Sequence, residues 1–216
     1  IVCTAITDFA ASGLVKDNDA PGGNVTGTSD MNPVVDQIDL LHQLAPEAKK
    51  VGLLYCTAES NSKIQIELAA AELKKLGIEG VEYTASSSNE VQQVVESMMG
   101  KVDAIYTPTD NTIASAMTVI ASIANEHKVP TVCGEVAHVE AGGLASLSIN
   151  YEELGRRAGE MAVRILTEGA EPAAMPIESM GAAECDLVYN GQTAEALGID
   201  VTSLVEDGAT DVSAAE

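Results

Sequence analysis

The stretch KKVGLLYCTAESNSKIQIELAAAELKKLGIEGVEYTASSSNE, residues 49–90, decides the fold. It opens on the aliphatic run KVGLLYC (50–56) and passes into SKIQIELAAAELKKLG (62–77), where Ile66, Ala69, Ala70 and Leu73 fall on one helical stripe. Gly77 then supplies a residue able to end that helix in the left-handed conformation. The chain turns back into a second strand-like run, GVEYTA (80–85). A strand, a helix and a strand at this spacing form a βαβ unit, which places the two strands parallel.

The same alternation extends outward. Strand-like runs recur as DAIYTP (103–108), VPTVCG (129–134) and LASLSI (144–149), with IVCTA (1–5) at the start. Helical periodicity marks 33–44, where Val34, Ile38 and Leu41 align, and also 88–100, 111–128 and 151–169. The expected fold is α/β, a Rossmann-like parallel sheet with helices on both faces. Right-handed crossovers bring the carboxyl ends of all parallel strands to one edge, where open α/β sheets bind ligands.

Composition narrows the function. Hydrophobic residues make up 46% of the 216-residue chain, enough for a buried core, but aromatics only 3%. The formal charge of −22 repels phosphate backbones and anionic membranes, so no nucleic acid is expected as a partner. Cys3, Cys56 and Cys133 sit in apolar strand-like runs and read as small buried residues, while Cys185 completes no C-x-x-C pair. His42, His127 and His138 have no ligand spacing and are expected to point away from the carboxyl edge of the sheet. No metal and no cofactor are therefore expected. Nucleophile-elbow, zinc-protease and Walker signatures are absent, and GNVTG (23–27) lacks the Lys-Ser/Thr of a phosphate loop, so the reading is a binding protein and not an enzyme.

The segments that follow the strand-like runs carry hydroxyls, amides and carboxylates: Thr7 and Asp8; Thr57, Glu59, Ser60, Asn61 and Ser62; Ser86 to Asn89; Thr109 to Thr112; Glu135; Asn150 and Tyr151. Two readings stand for each. Such residues cap helix starts, and free N–H groups at a helix start also hold carboxylates.

Four motifs together carry a resemblance. TAITDF (4–9), PGGNVTG (21–27), YCTAESNS (55–62) and PTDNT (108–112) are similar to T-A-x-T-D-P, P-G-G-N-V-T-G, Y-x-x-x-E-x-N-S and P-T-D-N-T of the ABC transporter substrate-binding proteins of the aromatic amino-acid type. Phe9 stands where that pattern has Pro. The resemblance covers nearly the whole chain. It implies two Rossmann-like lobes closing on a small ligand, an extracytoplasmic location with lipid anchorage, and delivery to a membrane permease.

A whole member would carry roughly a hundred further residues before Ile1, about one small domain. The expected organisation is thus a remnant of the first lobe (1–24), a complete second lobe (25–149), a helix returning to the first lobe (150–170), a C-terminal strand and helix (171–205) and an acidic disordered tail (206–216). PGGNVTG would be a flexible crossover between lobes. The stripe Leu154, Met161, Ala162, Ile165 and Leu166 would then need a substitute neighbour, such as a homodimer partner.

The implied ligand is an amino acid held in the interlobe cleft by Thr7, Asp8, Ser60, Asn61, Ser62, Thr109, Asp110, Asn111 and Glu135. Residues 60–62 would take its carboxylate, and Asp110, Glu135 and Asp8 its ammonium. A second reading remains open, because INYEELGRRAGEMAVRIL (149–166) also resembles the effector-binding core of sugar- or purine-responsive repressors.

Overall fold

A computed structural model describes residues 1–213. The chain divides into two units, Ile1–Asn32 with Ile149–Cys185, and Pro33–Ser148 with Asp186–Glu216.

The larger unit is built on strands β3 (Lys50–Cys56), β4 (Glu79–Ala85), β5 (Ala104–Thr107), β6 (Thr131–Cys133), β7 (Ala145–Ser148), β8 (Asp186–Tyr189) and β9 (Thr210–Asp211), in the spatial order β4-β3-β5-β6-β7-β8-β9. Helix α1 (Val34–Leu44) precedes β3, helices α2 (Ser60–Lys75), α3 (Ser88–Met98), α4 (Asn111–Glu126) and α5 (Val136–Glu140) connect successive parallel strands, and α7 (Gly191–Leu197) and α8 (Thr202–Glu206) follow β8. Side chains alternate across the strands, so two cores form. Leu53, Tyr55, Tyr106 and Val132 face Ile38, Leu41, Ile66 and Leu73. Leu54, Ile105 and Cys133 face Val91, Val95, Ile113 and Met117. At about 25 cal/mol per Å² of buried apolar area, these two faces carry most of the folding drive.

The smaller unit pairs β1 (Val2–Thr4) with β2 (Thr26–Thr28) in parallel, and α6 (Tyr151–Glu168) packs on both strands. Asn150 caps α6 by accepting from Glu153 N, and Gly169 ends it at φ 72°. A Cβ on Gly27 would lie 1.9 Å from the carbonyl oxygen of Cys3, so only glycine fits at that point of β2.

Four expectations need correction. First, the division falls at Asn32/Pro33, not at residue 25, because Thr26–Thr28 is β2 of the smaller unit and not a flexible crossover. Thr26 Oγ donates to Met175 O at 2.8 Å, which ties β2 to the 171–185 segment of the same unit. Second, the sheet is parallel as expected from β4 to β7, but β8 joins β7 antiparallel. Ser148 pairs with Asp186, so the returning chain starts where β7 stopped and must run back antiparallel. Third, the tail is ordered at least to residue 213, since β9 pairs with β8 and Val212 N donates to Tyr189 O at 2.9 Å. The remaining tail positions, 214–216, lie outside the described residues. Fourth, the buried stripe of α6 is Leu154, Ala158 and Met161, while Leu166 is 83% exposed. Position 166 lies five residues past Met161, which rotates it about 140° from that side chain and off the stripe.

Candidate functional site

β3, β5, β6 and β7 are parallel neighbours, so the segments after them share one edge of the larger unit. The loops are held close there. A Cβ on Gly134 would lie 2.4 Å from the backbone of Pro108 and Thr109, so the β6 exit needs glycine to lie against the β5 exit. Gln37 of α1 donates from Nε2 to Gly134 O at 3.1 Å and to Leu147 O at 2.8 Å. Tyr106 OH donates to Gln37 Oε1 at 2.7 Å. One buried amide thereby braces the ends of three strands.

Two carboxylates exchange partners across this edge. Asp110, the N-cap of α4, accepts from Ile113 N at 2.8 Å through Oδ1. Its Oδ2 accepts from Cys56 N and Ser62 Oγ, both at 2.7 Å, at the end of β3 and the start of α2. Glu59, the N-cap residue of α2, reaches the other way. Its Oε2 accepts from Asn111 N at 3.0 Å, and its Oε1 accepts from Thr112 N and Thr112 Oγ at 2.8 Å. Burial pushes the Asp110 pKa above the ordinary value, and the Glu59 charge adds to that, against the lowering effect of its hydrogen bonds. At Glu59 burial also opposes the charge, but the donors on Asn111 and Thr112 outweigh it and hold the carboxyl below its ordinary value.

This exchange leaves the two helix starts unlike. The first N–H groups of α4 at Asn111, Thr112 and Ile113 all meet a carboxylate oxygen. Among the described residues α2 has no side-chain cap, since Glu59 at its N-cap makes no capping hydrogen bond to it. Ser60 at its first position is exposed, and Asn61, half-buried, uses its amide on Thr109 O at 3.0 Å. The α2 start is therefore the end of this pair where backbone donors remain for an anion.

The expected site residues thus separate. Asp110 is fully buried with both oxygens engaged, which is a correction to its assignment as a direct ammonium partner. Ser62 is also buried and donates to Asp110, so its hydroxyl serves the brace. Thr109 is buried, its N–H donating to Gln65 Oε1 at 3.0 Å. Ser60, Asn61 and Asn111 remain at the surface of the edge, and Glu135 keeps 15% of its side chain exposed. Sequence reasoning missed Glu59 as a brace; its signal was an acid at the last position before a helix that carries no other cap. It also placed all three histidines away from this edge. His138 is instead buried there, with Nδ1 at 3.1 Å from Thr107 Oγ and Nε2 at 3.0 Å from Glu135 Oε1.

Thr7 and Asp8 belong to the smaller unit. Thr7 is buried and its carbonyl accepts from Ser29 Oγ at 2.7 Å. Asp8 Oδ1 accepts from Ala10 N, Ala11 N and Asn18 Nδ2, each at 3.0 Å, and so organises the loop after β1. Partial burial would raise its pKa, but these donors outweigh it and lower the value. Among the described residues no cluster of three or more His, Cys, Asp or Glu is placed to hold a metal ion.

A family model described as ABC transporter substrate binding protein matches residues 1–213. The chain is 41% identical over 203 residues to a tyrosine-binding protein of Clostridioides difficile strain R20291, covering 94% of this chain and 58% of that protein. The chain thus spans less than two thirds of that relative's length. The structure of an ABC domain in complex with L-Trp from Streptococcus pneumonia superposes with a TM-score of 0.89 at 40% identity, covering 96% of this chain and 70% of that one. A LacI family transcriptional regulator from Bifidobacterium animalis subsp. lactis superposes at a TM-score of 0.59 with 13% identity, over 87% of this chain and 74% of that one, which shows shared fold alone.

Proposed function

The chain belongs to the ABC transporter substrate-binding protein family, and from that premise we propose that it captures an aromatic amino acid at the carboxyl edge of its larger unit. The observation that carries this reading is the uncapped start of α2, flanked by exposed Ser60 and half-buried Asn61. A free amino acid presents a carboxylate, and a helix start with open N–H groups is suited to hold one without an Arg or Lys. Lys63, one turn on, is already paired with Glu82 at 3.2 Å and does not substitute for those donors. Glu135 supplies a partly exposed carboxylate on the same edge for the ammonium. The aromatic class is supported by the tyrosine-binding relative and by the L-Trp complex, both at about 40% identity.

In this reading the protein works outside the cytoplasmic membrane and passes its ligand to a permease, without chemistry of its own and without a cofactor. Asn111, exposed on the same edge, stays in the proposed site as a secondary contact. A homodimer through α6 and β1 is part of the same proposal and is read by light scattering; exposed Val163 and Leu166 are the apolar side chains α6 offers to it. The repressor alternative rests on fold likeness alone, which does not set function.

The test is calorimetric titration with L-tyrosine and L-tryptophan, with L-alanine and ribose as controls. Saturable binding of an aromatic amino acid, absent for ribose, is expected. A chain that binds ribose and neither aromatic amino acid overturns the proposal.

A further inference from the structure

We propose that Gln65 is a positioning residue that locks the loop after β5 onto the first turn of α2, so that Asn61 and Asn111 meet the ligand at a fixed spacing; the inference rests on the ligand reading above. Gln65 is fully buried, on a helix whose other buried residues include Ile66, Ala69 and Leu73. A leucine would suit that core better, because a buried amide is costly unless its polar atoms are bonded. All of them are bonded here. Oε1 accepts from Thr109 N at 3.0 Å, and Nε2 donates to Thr109 O at 3.2 Å and to Asn61 O at 3.3 Å.

One planar amide thus takes both polar groups of the Thr109 backbone, as a neighbouring strand would. Among the described residues no strand does so. The last registered partners of β5 are Tyr106 with Leu53 on β3 and Thr107 with Cys133 on β6. Past them the buried Thr109 backbone still needs a partner, and Gln65 takes the place of the ladder. Thr109 O also accepts from Asn61 Nδ2 at 3.0 Å. Asn61 is therefore tied to the loop by its side chain and to Gln65 by its carbonyl, while Asn111 follows Thr109 by two positions. From the other side Gly134 O accepts from Thr109 Oγ at 3.5 Å. Glu59 and Asp110 join the two helix starts to each other; Gln65 fixes the peptide that lies between β5 and α4. Groups on two elements that are already held at their binding distance lose little freedom when a ligand arrives, and affinity rises accordingly.

The experiment joins amide hydrogen exchange to calorimetric titration on this chain. Thr109 N–H is expected to be protected, and Gln65→Leu, which keeps the bulk and removes all three bonds, should free it. The same variant should weaken L-tryptophan and L-tyrosine binding about tenfold. Leu73→Ala is the control. It opens a cavity under the same helix about 12 Å along its axis, and should lower the thermal midpoint while affinity stays within about twofold. Gln65→Glu is the conservative variant. As a neutral acid it offers Thr109 one donor and one acceptor, and once ionised it turns a charge on Thr109 O. Burial favours the neutral form at low pH. Measured against the unmodified chain at each pH, which cancels the titration of nearby Glu59 and Asp110, its affinity should lie within about threefold at pH 5 and fall to the leucine variant's level by about pH 8. A ratio that does not move with pH, or a Gln65→Leu chain that binds normally while Thr109 exchanges freely, overturns the proposal. If Leu73→Ala loses as much affinity as Gln65→Leu at an equal loss of thermal midpoint, Gln65 is merely structural and the idea is sunk. If the unmodified chain binds neither amino acid, the ligand reading falls and takes the positioning role with it, whereas the clamp itself stands or falls on Thr109 exchange alone.

Discussion

Helices α2 and α4 begin alike and end up with different jobs. Both follow a parallel strand of one sheet, both run 16 residues, and both have an acidic N-cap residue, Glu59 and Asp110. Asp110 caps its own helix and also braces the neighbouring one. Glu59 gives its carboxylate wholly to the start of α4. One helix start is therefore closed by two carboxylates, and the other is left with its first donors open. A strand-end polar cluster in an α/β sheet cannot be read as a binding site by residue type alone. What counts is where each side chain's hydrogen bonds go.

The sharpest way to break this comparison is Asp110→Ala. It strips the partner from Cys56 N, Ser62 Oγ and Ile113 N around a buried position, and should cost about 3–4 kcal/mol of unfolding free energy. Urea denaturation measures it, and a loss under about 1 kcal/mol would mean that Asp110 is not the brace described. Next in size is a matched pair of prolines at the first helical position, where proline's fixed φ is tolerated and its missing N–H need cost no helix bond. Asn111→Pro deletes a donor that Glu59 uses, and should destabilise by about 1–2 kcal/mol. Ser60→Pro deletes a donor with no partner among the described residues, so stability should change by less than about 0.5 kcal/mol. Affinity for the amino-acid carboxylate should instead fall about tenfold by calorimetry. Equal stability losses for the two prolines would erase the distinction between the helix starts.

The smallest effect is a pH dependence. The Glu59 pKa is depressed in the folded protein, so its contribution is present above the unfolded carboxyl value and fades as pH falls through the lower folded one. The thermal midpoint gap between wild type and Glu59→Gln should be widest near pH 7 and narrow steadily below about pH 4.5, the ordinary glutamate range. Asp110 works in the opposite sense. Its raised pKa gives a contribution that is full below the unfolded value and is lost as pH rises through the folded one. Scanning calorimetry on both variants separates the two signs.

Much of this was legible from the sequence. The strand and helix spacings are local, and hydrophobic periodicity reports them directly, which is why the run 49–90 already contains β3, α2 and β4. The short reach of Asp110 to Ile113, three residues on, is likewise a local rule. The reach of Glu59 across 52 positions to Asn111 is not, because it depends on β3 and β5 lying side by side. His138 failed for the same reason: a five-residue helix carries it back over β5 and β6, and no periodicity announces that. The segment 206–213 looks like a solvated acidic tail, yet the open edge of β8 offers backbone partners and takes it up as β9.

By itself the sequence determined the α/β alternation, the parallel core strands, the edge on which polar groups gather and the family to which the chain belongs. Those features follow from patterns within a few tens of residues and from motifs read in order. Only the tertiary structure decided which of the polar groups are consumed in holding the loops together and which remain for a ligand. A buried donor or acceptor must find a partner wherever the fold brings one near, and that partner is set by strand order, not by distance along the chain.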